Sequence, residues 1–218
     1  MIAANLAAVR ADIDAACARV GRPSSSVTLV AVSKAQPASA LRAAHAAGQR
    51  HFGENYVDEW KEKRAALADL DDIVWHFVGR VQSGNAKAIV GADLVHGVGS
   101  TSQAEALSKA AAKAQKTLPV LLQVNLVGED TKNGFTASSL EAALPALSTL
   151  PSLSPQGLMA MPNVDDVATA FVDVRALRDR LCPSWPSLSY GMSSDYVVAI
   201  EQGATLVRVG TRIFGARS

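Results

Sequence analysis

Hydrophobic residues follow two different spacings along the chain, and together these predict alternating helices and strands. In residues 2–20 the apolar positions recur every three or four residues, as at Leu6, Val9 and Ile13, with charged residues between them. This spacing is typical of an amphipathic helix. Residues 27–34 instead form a continuous apolar, β-branched run, which is typical of a buried strand.

The same alternation continues to the end of the chain. After the strand at residues 27–34, Pro37 marks the first turn of a helix over residues 38–47. Further strands are predicted at residues 50–53, 73–79, 93–98, 118–126, 157–161, 188–190 and 205–209. Further helices are predicted from Asn55 to about Arg64, at 85–90, at 103–115 after a cap at Ser100 or Thr101, from Thr136 or Ser138 to before Pro151, and at about 164–181 and 194–202.

About eight strand–helix repeats favour a compact (β/α)8 TIM barrel, which we expect to form a single domain over residues 1–218. The competing architecture is an open, doubly wound sheet. The residues after the first strand contain no glycine-rich dinucleotide fingerprint, which weakens that alternative.

Composition supports the barrel and narrows the function. Hydrophobic residues make up 49% of the chain and aromatic residues 5%, as expected for aliphatic helices packed on parallel strands. The net charge of +1 gives no nucleic-acid footprint. Cys17 and Cys182 suggest neither a disulfide framework nor a metal site. The N-terminal helix carries acids, unlike a signal peptide, and no apolar run reaches membrane-spanning length. We therefore expect a cytoplasmic monomer without membrane contact.

Lys34 ends the first predicted strand and is the first candidate for chemistry. Alternation places it on the same face as Val30 and Val32. Loss of hydration beside an apolar row favours the neutral amine, which is a nucleophile toward carbonyl groups. The structural alternative is a lysine whose ammonium group extends from the strand end into solvent.

The loops after the seventh and eighth strands are candidates for binding an anion. Residues 191–195 and the pair Gly210 and Thr211 combine glycine with hydroxyl side chains, and a barrel often holds phosphate at these two loops. The alternative is that Ser193 or Ser194 merely caps a helix and that Gly210 ends a strand.

Three polar residues, two within predicted strands and one just after a strand, remain ambiguous. Arg208 lies within the eighth strand, where a buried guanidinium needs a hydrogen-bonding partner. The structural alternative is that it pairs with a carboxylate inside the barrel and has no contact with a ligand. His76 in the third strand is compatible with a hydrogen-bonded core residue, and Asn55 with a helix N-cap. An amine, an anion site and an arginine together suit a ligand with an aldehyde and a phosphate. Pyridoxal 5'-phosphate (PLP) is one such ligand, and a phosphorylated sugar in a Schiff-base aldolase is the other.

Several motifs, in order along nearly the whole chain, resemble those of the YggS-type pyridoxal phosphate homeostasis proteins, which are single-domain relatives of the alanine racemase N-terminal barrel. The motifs are Ala31-Val-Ser-Lys34, Phe52-Gly-Glu-Asn-Tyr56, Trp75-His-Phe-Val-Gly79, Gln82-Ser83, Gly157-Leu-Met-Ala-Met161, Gly191-Met-Ser-Ser-Asp195 and Val207-Arg-Val-Gly-Thr-Arg-Ile-Phe-Gly215.

The resemblance implies that Lys34 holds PLP as an internal aldimine and that no metal takes part. It also implies that the cofactor's phosphate lies at Ser193, Gly210 and Thr211. Arg208 would face the pyridine nitrogen, with Asn55 and His76 near the ring.

The resemblance implies a role in PLP homeostasis, with the cofactor passing to PLP-dependent apo-enzymes or amino acids. An arginine at the pyridine nitrogen opposes ring protonation and discourages carbanion chemistry. Racemases on this barrel also need a second base from another domain, for which we expect no room here. A PLP-dependent racemase is the alternative, and a Schiff-base aldolase is the third. Two departures, an extra Gly84 in the third-strand loop and Tyr190, carry no predicted role.

Overall fold

The structure is a computed structural model that describes residues 1–125, 133–162 and 165–215. Within these ranges, eight parallel strands close into a barrel in chain order, which confirms the predicted (β/α)8 architecture. The strands are Thr28–Val32 (β1), His51–Glu54 (β2), Val74–Phe77 (β3), Leu94–Val98 (β4), Leu118–Val124 (β5), Leu153–Ala160 (β6), Ser187–Ser189 (β7) and Leu206–Val209 (β8).

Helices follow the strands and cover the barrel. They are Ile2–Arg19 (α1), Ala38–Ala46 (α2), Val57–Ala66 (α3), Ala86–Ile89 (α4), Thr101–Lys113 (α5), Ala137–Ser148 (α6), Val167–Leu181 (α7), Tyr196–Glu201 (α8) and Thr211–Phe214 (α9), with a 3₁₀ turn at Ser24–Ser26. The predicted limits at residues 126 and 164 lie outside the described residues. None of the helices that the structure describes has the length and apolar character needed to cross a membrane.

The barrel closes by pairing β1 with β8. Val30 is the register partner of Arg208, and Ala31 is the partner of Val209. Because parallel strands in a closed barrel share one direction, the carboxyl ends of β1 and β8 lie side by side. The chain segment that begins at Ser33 therefore lies next to the segment that begins at Gly210.

The core is mainly aliphatic, as the composition predicts. Helix α1 buries Leu6, Val9 and Ile13 and packs against α8 and α9. Cys17 and Cys182 are buried free thiols. The apolar face of α1 therefore packs where the first and last helices of the chain meet on the outside of the barrel.

Most predicted strand limits differ from the structure by one or two residues, and two of the differences bear on the site and on the sheet. The first strand ends at Val32, so that Lys34 lies in the following turn. Strand β6 begins at Leu153, four residues earlier than predicted, although Pro155 lacks an amide hydrogen. The pairing of β6 with β5 shifts register between Val120 and Leu121, beside Pro155, and such an irregularity is where a sheet tolerates proline.

Candidate functional site

A cavity of about 350 Å³ lies at the carboxyl ends of the barrel strands. Met161 and Met192 line it and are partly exposed, which gives the mouth an apolar rim. The cavity brings together six of the seven predicted site residues, namely Lys34, Asn55, Ser193, Arg208, Gly210 and Thr211.

Lys34 lies in the turn between β1 and α2 and is half-buried in the cavity wall. The residue before it, Ser33, is fully buried, and its amide donates to the carbonyl of Gly53 at 3.0 Å. The residue after it, Ala35, has φ of 60°, in the left-handed region. The backbone therefore turns sharply at Lys34, and its side chain lines the cavity instead of continuing a strand face.

Helix α3 pins both neighbours of Lys34. The Nζ atom of Lys63 donates to the carbonyl of Ser33 at 2.6 Å. The carboxylate of Glu59 accepts a hydrogen bond from the amide of Ala35 at 2.5 Å. Because Lys63 and Glu59 are themselves joined at 2.6 Å, the two contacts act as one clamp on the turn.

Glu54, at the end of β2, completes this clamp from below. Its Oε1 atom accepts from Lys63 at 2.7 Å and from the hydroxyl of Ser33 at 2.6 Å. Its Oε2 atom is buried and has no hydrogen-bond partner among the described residues. Burial raises the pKa of Glu54 above its usual value, and the hydrogen bonds from Lys63 and Ser33 oppose that shift. The glutamate therefore depends on Lys63 for its charge.

The loops after β7 and β8 are joined to each other at the opposite side of the cavity. The hydroxyl of Ser193 accepts from the amide of Gly210 at 3.2 Å, and the carbonyl of Gly191 accepts from the amide of Arg208 at 2.9 Å. Gly191 has φ of +90°, which favours glycine. The capping alternative for Ser193 and Ser194 is wrong, because Asp195 occupies the N-cap position of α8.

Close packing also decides the position of Asn55. A Cβ atom at Gly79 would lie 2.0 Å from the carbonyl oxygen of Asn55. Only glycine at position 79 therefore allows the chain after β3 to pack this closely against Asn55. The N-cap of α3 is Tyr56 and not Asn55. The capping alternative for Asn55 is therefore wrong, and its side chain is available to the cavity that it lines.

Arg208 is buried in the barrel wall beneath the cavity, with 5% of its surface exposed. Its guanidinium donates to the carbonyl and the hydroxyl of Ser189 at 2.9 and 2.6 Å, and to the carbonyl of Ala160 at 3.2 Å. Burial lowers the pKa of Arg208 to about 10, and the charge of Asp195 opposes the shift, so the side chain remains a cation at neutral pH. In the described part of the chain, Arg208 thus donates to one hydroxyl and two backbone carbonyl groups. Within these residues, the alternative that it pairs with a carboxylate inside the barrel is wrong.

His76 is not among the residues that line the cavity. It lies in the barrel interior between His51 and His96, with ring nitrogens 2.9 Å from each. Burial, followed by the charge of His51, lowers the pKa of His76 to about 3, so this ring is neutral. Within the described ranges, no group of three or more His, Cys, Asp or Glu side chains is arranged to hold a metal ion.

Five residues that support the site were missed from the sequence. Glu59 and Lys63 show only the four-residue spacing of a surface ion pair. Glu54, His96 and Ser189 each lie in a strand, where an isolated polar residue signals nothing specific. A usable signal was present in the polar side chains His51, His76 and His96 on three consecutive strands, since polar positions inside a barrel need partners.

Comparison with known proteins gives a consistent family. The family profile described as the alanine racemase N-terminal domain matches residues 4–218. The pyridoxal phosphate homeostasis protein of Pseudomonas aeruginosa is 44% identical over 221 residues, which cover 99% of this chain and 96% of that protein.

Solved structures agree with this comparison. PipY of Synechococcus elongatus, in a structure with PLP bound, is 39% identical and superposes with a TM-score of 0.87. The match covers 99% of this chain and 100% of the PipY chain. The alanine racemase of Streptomyces lavendulae has a TM-score of 0.71 at 23% identity, with 97% of this chain and 57% of that chain covered. The likeness to the racemase is a likeness of fold alone.

Proposed function

We propose that this chain, which belongs to the family of pyridoxal phosphate homeostasis proteins, binds PLP in the cavity at the carboxyl ends of the barrel strands and holds it for delivery. The observation that carries the proposal is the arrangement inside one cavity: an amine on β1's loop, joined glycine and hydroxyl loops after β7 and β8, and a buried arginine.

The donor set suits this cofactor. PLP carries one aldehyde, one phosphate and one pyridine ring. A cavity of about 350 Å³ lies at the small end of the range for ligand sites, as a single-ring cofactor requires. A Cβ atom at Gly210 would lie 3.0 Å from the carbonyl oxygen of Val32, so glycine allows the loop after β8 to pack closely against the end of β1 in this wall. The residues present therefore fit the group.

Each cavity residue then has a definite task. The Nζ atom of Lys34 is the point of covalent attachment for the aldehyde carbon. Ser193, Gly210 and Thr211 hold the phosphate with hydroxyl and amide donors, which suit a charged acceptor. Arg208 faces the pyridine nitrogen, and Asn55 lies beside the ring. His76 acts on the ring only through the residues that join it to Arg208.

Arg208 favours a carrier over a catalyst. When bound, PLP supplies an aldehyde that reacts with amines and a ring that can withdraw electrons. A guanidinium that stays charged opposes protonation of a nearby ring nitrogen, because two cations would face each other. The ring is then a weak electron acceptor, and the protein's residues bind and orient the cofactor instead of driving turnover.

The proposal extends to the setting in which the protein works. We place it in the cytoplasm as a monomer that releases PLP to PLP-dependent apo-enzymes or to free amino acids. The buried free thiols of Cys17 and Cys182 fit a reducing compartment. The Pseudomonas relative is named a pyridoxal phosphate homeostasis protein, which supports the release of PLP to other molecules.

The test is chemical labelling of the attachment site. The protein is loaded with PLP, reduced with borohydride, digested and analysed by mass spectrometry. The pyridoxyl mass should appear on the peptide that contains Lys34 and be lost in Lys34→Ala. It should be kept in Lys87→Ala, which changes an exposed lysine of helix α4.

Two results would overturn the proposal. One is a label that stays on another lysine when Lys34→Ala is used and the variant is folded. The other is racemisation of a common amino acid by the wild-type protein at about 1 per second or faster, a rate typical of enzymes.

A further inference from the structure

A continuous chain of hydrogen bonds crosses the barrel interior beneath the cavity. His51 Nδ1 lies 2.9 Å from His76 Nε2, and His76 Nδ1 lies 2.9 Å from His96 Nε2. His96 Nδ1 lies 2.9 Å from the hydroxyl of Ser189, which accepts from Arg208 at 2.6 Å. Five side chains on β2, β3, β4, β7 and β8 are thus connected in one line.

The donor at one end determines the direction of every bond in this line. Arg208 can only donate, so the Ser189 oxygen accepts from it. Among the described residues, the Ser189 hydroxyl has Arg208 and His96 Nδ1 as its hydrogen-bond partners, so His96 Nδ1 is the acceptor for its hydrogen. A neutral imidazole that accepts at Nδ1 carries its hydrogen at Nε2 and donates from there. The same reasoning passes from His96 to His76 and from His76 to His51.

The surroundings keep these rings neutral, as the direction requires. Burial lowers the pKa of His96 well below its usual value, and electrostatic interactions with His76 and Arg208 lower it further. Burial also lowers the pKa of His51, which the charge of Asp93 opposes. Ring nitrogens that pair with one another in sequence do not converge on a common point, so the cluster is a line of hydrogen bonds and not a metal site.

The far end of the line reaches a second cavity of about 430 Å³ near the amino-terminal ends of β1 and β2. His51 lines it together with Arg10 and Asp14 of α1 and with Arg50, the residue before β2. The line of side chains therefore joins the cavity at the carboxyl face to one at the amino face.

We infer that Ser189 and His96 are positioning residues for Arg208, and that the three histidines form a one-directional relay in which every ring carries its hydrogen on Nε2. The role toward the cofactor rests on the proposed function, in which Arg208 faces the ring of PLP. The direction of the relay rests on the hydrogen bonds between neutral rings and is independent of the cofactor.

Positioning follows from how Arg208 is held. Ser189 supplies two of its acceptors, the hydroxyl and the carbonyl, and His96 holds that hydroxyl in the orientation that leaves its oxygen lone pair toward the guanidinium. Loss of the hydroxyl leaves Arg208 with two carbonyl acceptors. The cation stays in the barrel, but its orientation relative to the cavity is no longer determined.

The first experiment needs no cofactor. In the apo protein labelled with ¹⁵N-histidine, NMR distinguishes protonated from unprotonated ring nitrogens at pH 7.5. His51, His76 and His96 should each be neutral with the hydrogen on Nε2, and His45, which lies outside the relay and pairs with Asp72, supplies a comparison signal. A ring of the three that is charged or carries its hydrogen on Nδ1 would overturn the relay.

Ser189→Ala tests whether the direction comes from the Arg208 end. It should change the nitrogen signals of His96 and, to a smaller degree, those of His76 and His51, although neither of the last two touches Ser189. The matched control is Ser108→Ala, which removes another buried serine hydroxyl outside the relay. Unchanged signals from all three rings in folded Ser189→Ala would refute the inference, and recovery of the wild-type signals in Ser189→Thr would support it.

The second experiment measures the effect on the cofactor. PLP should bind Ser189→Ala about tenfold more weakly than wild type. The lost charge-assisted hydrogen bond joins Ser189 to Arg208 and affects the cofactor only through the position of Arg208. The absorption maximum of the bound cofactor should also shift, since the ring environment changes, while Ser108→Ala should show neither effect. Equal affinity and an identical spectrum would overturn the positioning role. Failure of the wild-type protein to bind PLP would overturn the proposed function and leave the NMR result to decide the relay.

Discussion

Replacement of Lys63 with methionine tests the clamp that holds Lys34. The Nζ atom of Lys63 makes three hydrogen bonds of 2.6–2.7 Å, to Ser33, Glu54 and Glu59. Its side chain is 5% exposed and that of Glu54 is fully buried. The substitution therefore leaves a buried carboxylate without its cation, and leaves a buried carbonyl with one donor, a backbone amide, instead of two.

The expected loss follows from those two groups. Removing one partner of a buried ion pair costs about 3–5 kcal/mol of unfolding free energy, because the other charge stays buried and unpaired. Glu59 is partly exposed and can be hydrated, so it adds little. We expect Lys63→Met to lower the unfolding free energy by about 3–5 kcal/mol at pH 7.5.

The loss should shrink in acid. Without Lys63, only Ser33 opposes the upward shift in the pKa of Glu54 that burial causes. Between the unfolded and folded pKa values the folded state then binds more protons than the unfolded state, so stability rises as pH falls. The difference between Lys63→Met and wild type should therefore be smaller at pH 5.5 than at pH 7.5. Adding Glu54→Gln to Lys63→Met should restore part of the stability.

Urea unfolding followed by circular dichroism measures these quantities, and the same helix offers a control. Lys61→Met makes the same chemical change at a side chain that is 59% exposed and 3.8 Å from Asp58. Such an exposed pair contributes about 0–1 kcal/mol. If Lys63→Met and Lys61→Met differ by less than about 1 kcal/mol, or if the Lys63 effect does not change with pH, the clamp does not work as argued.

Three further predictions concern the phosphate loops, the packing and the pH response. Ser193→Ala should weaken PLP binding about ten- to a hundredfold, and pyridoxal binding much less, in absorbance titrations; equal losses would contradict a phosphate site. Gly79→Ala should lower the unfolding free energy by about 1–3 kcal/mol, because its Cβ would meet Asn55, whereas Gly84→Ala, with no atom within 4 Å, should be neutral in the same urea experiments. Because the pKa of His76 is about 3 when folded and about 6.5 when unfolded, the unfolded state binds more protons between these values. His76 alone should therefore remove about 2 kcal/mol between pH 8 and pH 5, a slope that His76→Gln should reduce.

The sequence contained most of what determines the fold. Most strands contain a short apolar run, and these runs alternate with helical patterns, so the order and number of strands could be predicted from local pattern. The first and last residues of each strand could not be predicted in this way, because they depend on how neighbouring strands pair. Lys34 leaves the strand since Ala35 turns to φ of 60°, and β6 extends back to Leu153 since β5 offers it a partner.

The candidate cavity could be predicted to a similar extent, for a different reason. A barrel brings the carboxyl ends of all its strands to one face, so residues that follow strands converge whatever the register. Lys34, Ser193 and Arg208 were therefore found together. The position of His76 depends on depth inside the barrel, which strand stagger decides, and a sequence without register information cannot supply it.

Two polar networks approach the cavity from different strands, and their charges differ. Beneath Lys34, on β2 and α3, two carboxylates surround one ammonium, which leaves net negative charge near the amine. Beneath Arg208, on β3, β4 and β7, the column is neutral and the arginine is the cation. A cofactor attached at Lys34 would thus have its ring nitrogen next to fixed positive charge and its reactive carbon next to the acidic clamp. The positive charge of Arg208 disfavours a proton on the ring nitrogen, and an unprotonated ring is the weaker electron acceptor. That is the property that a protein needs in order to hold PLP without consuming its ligands.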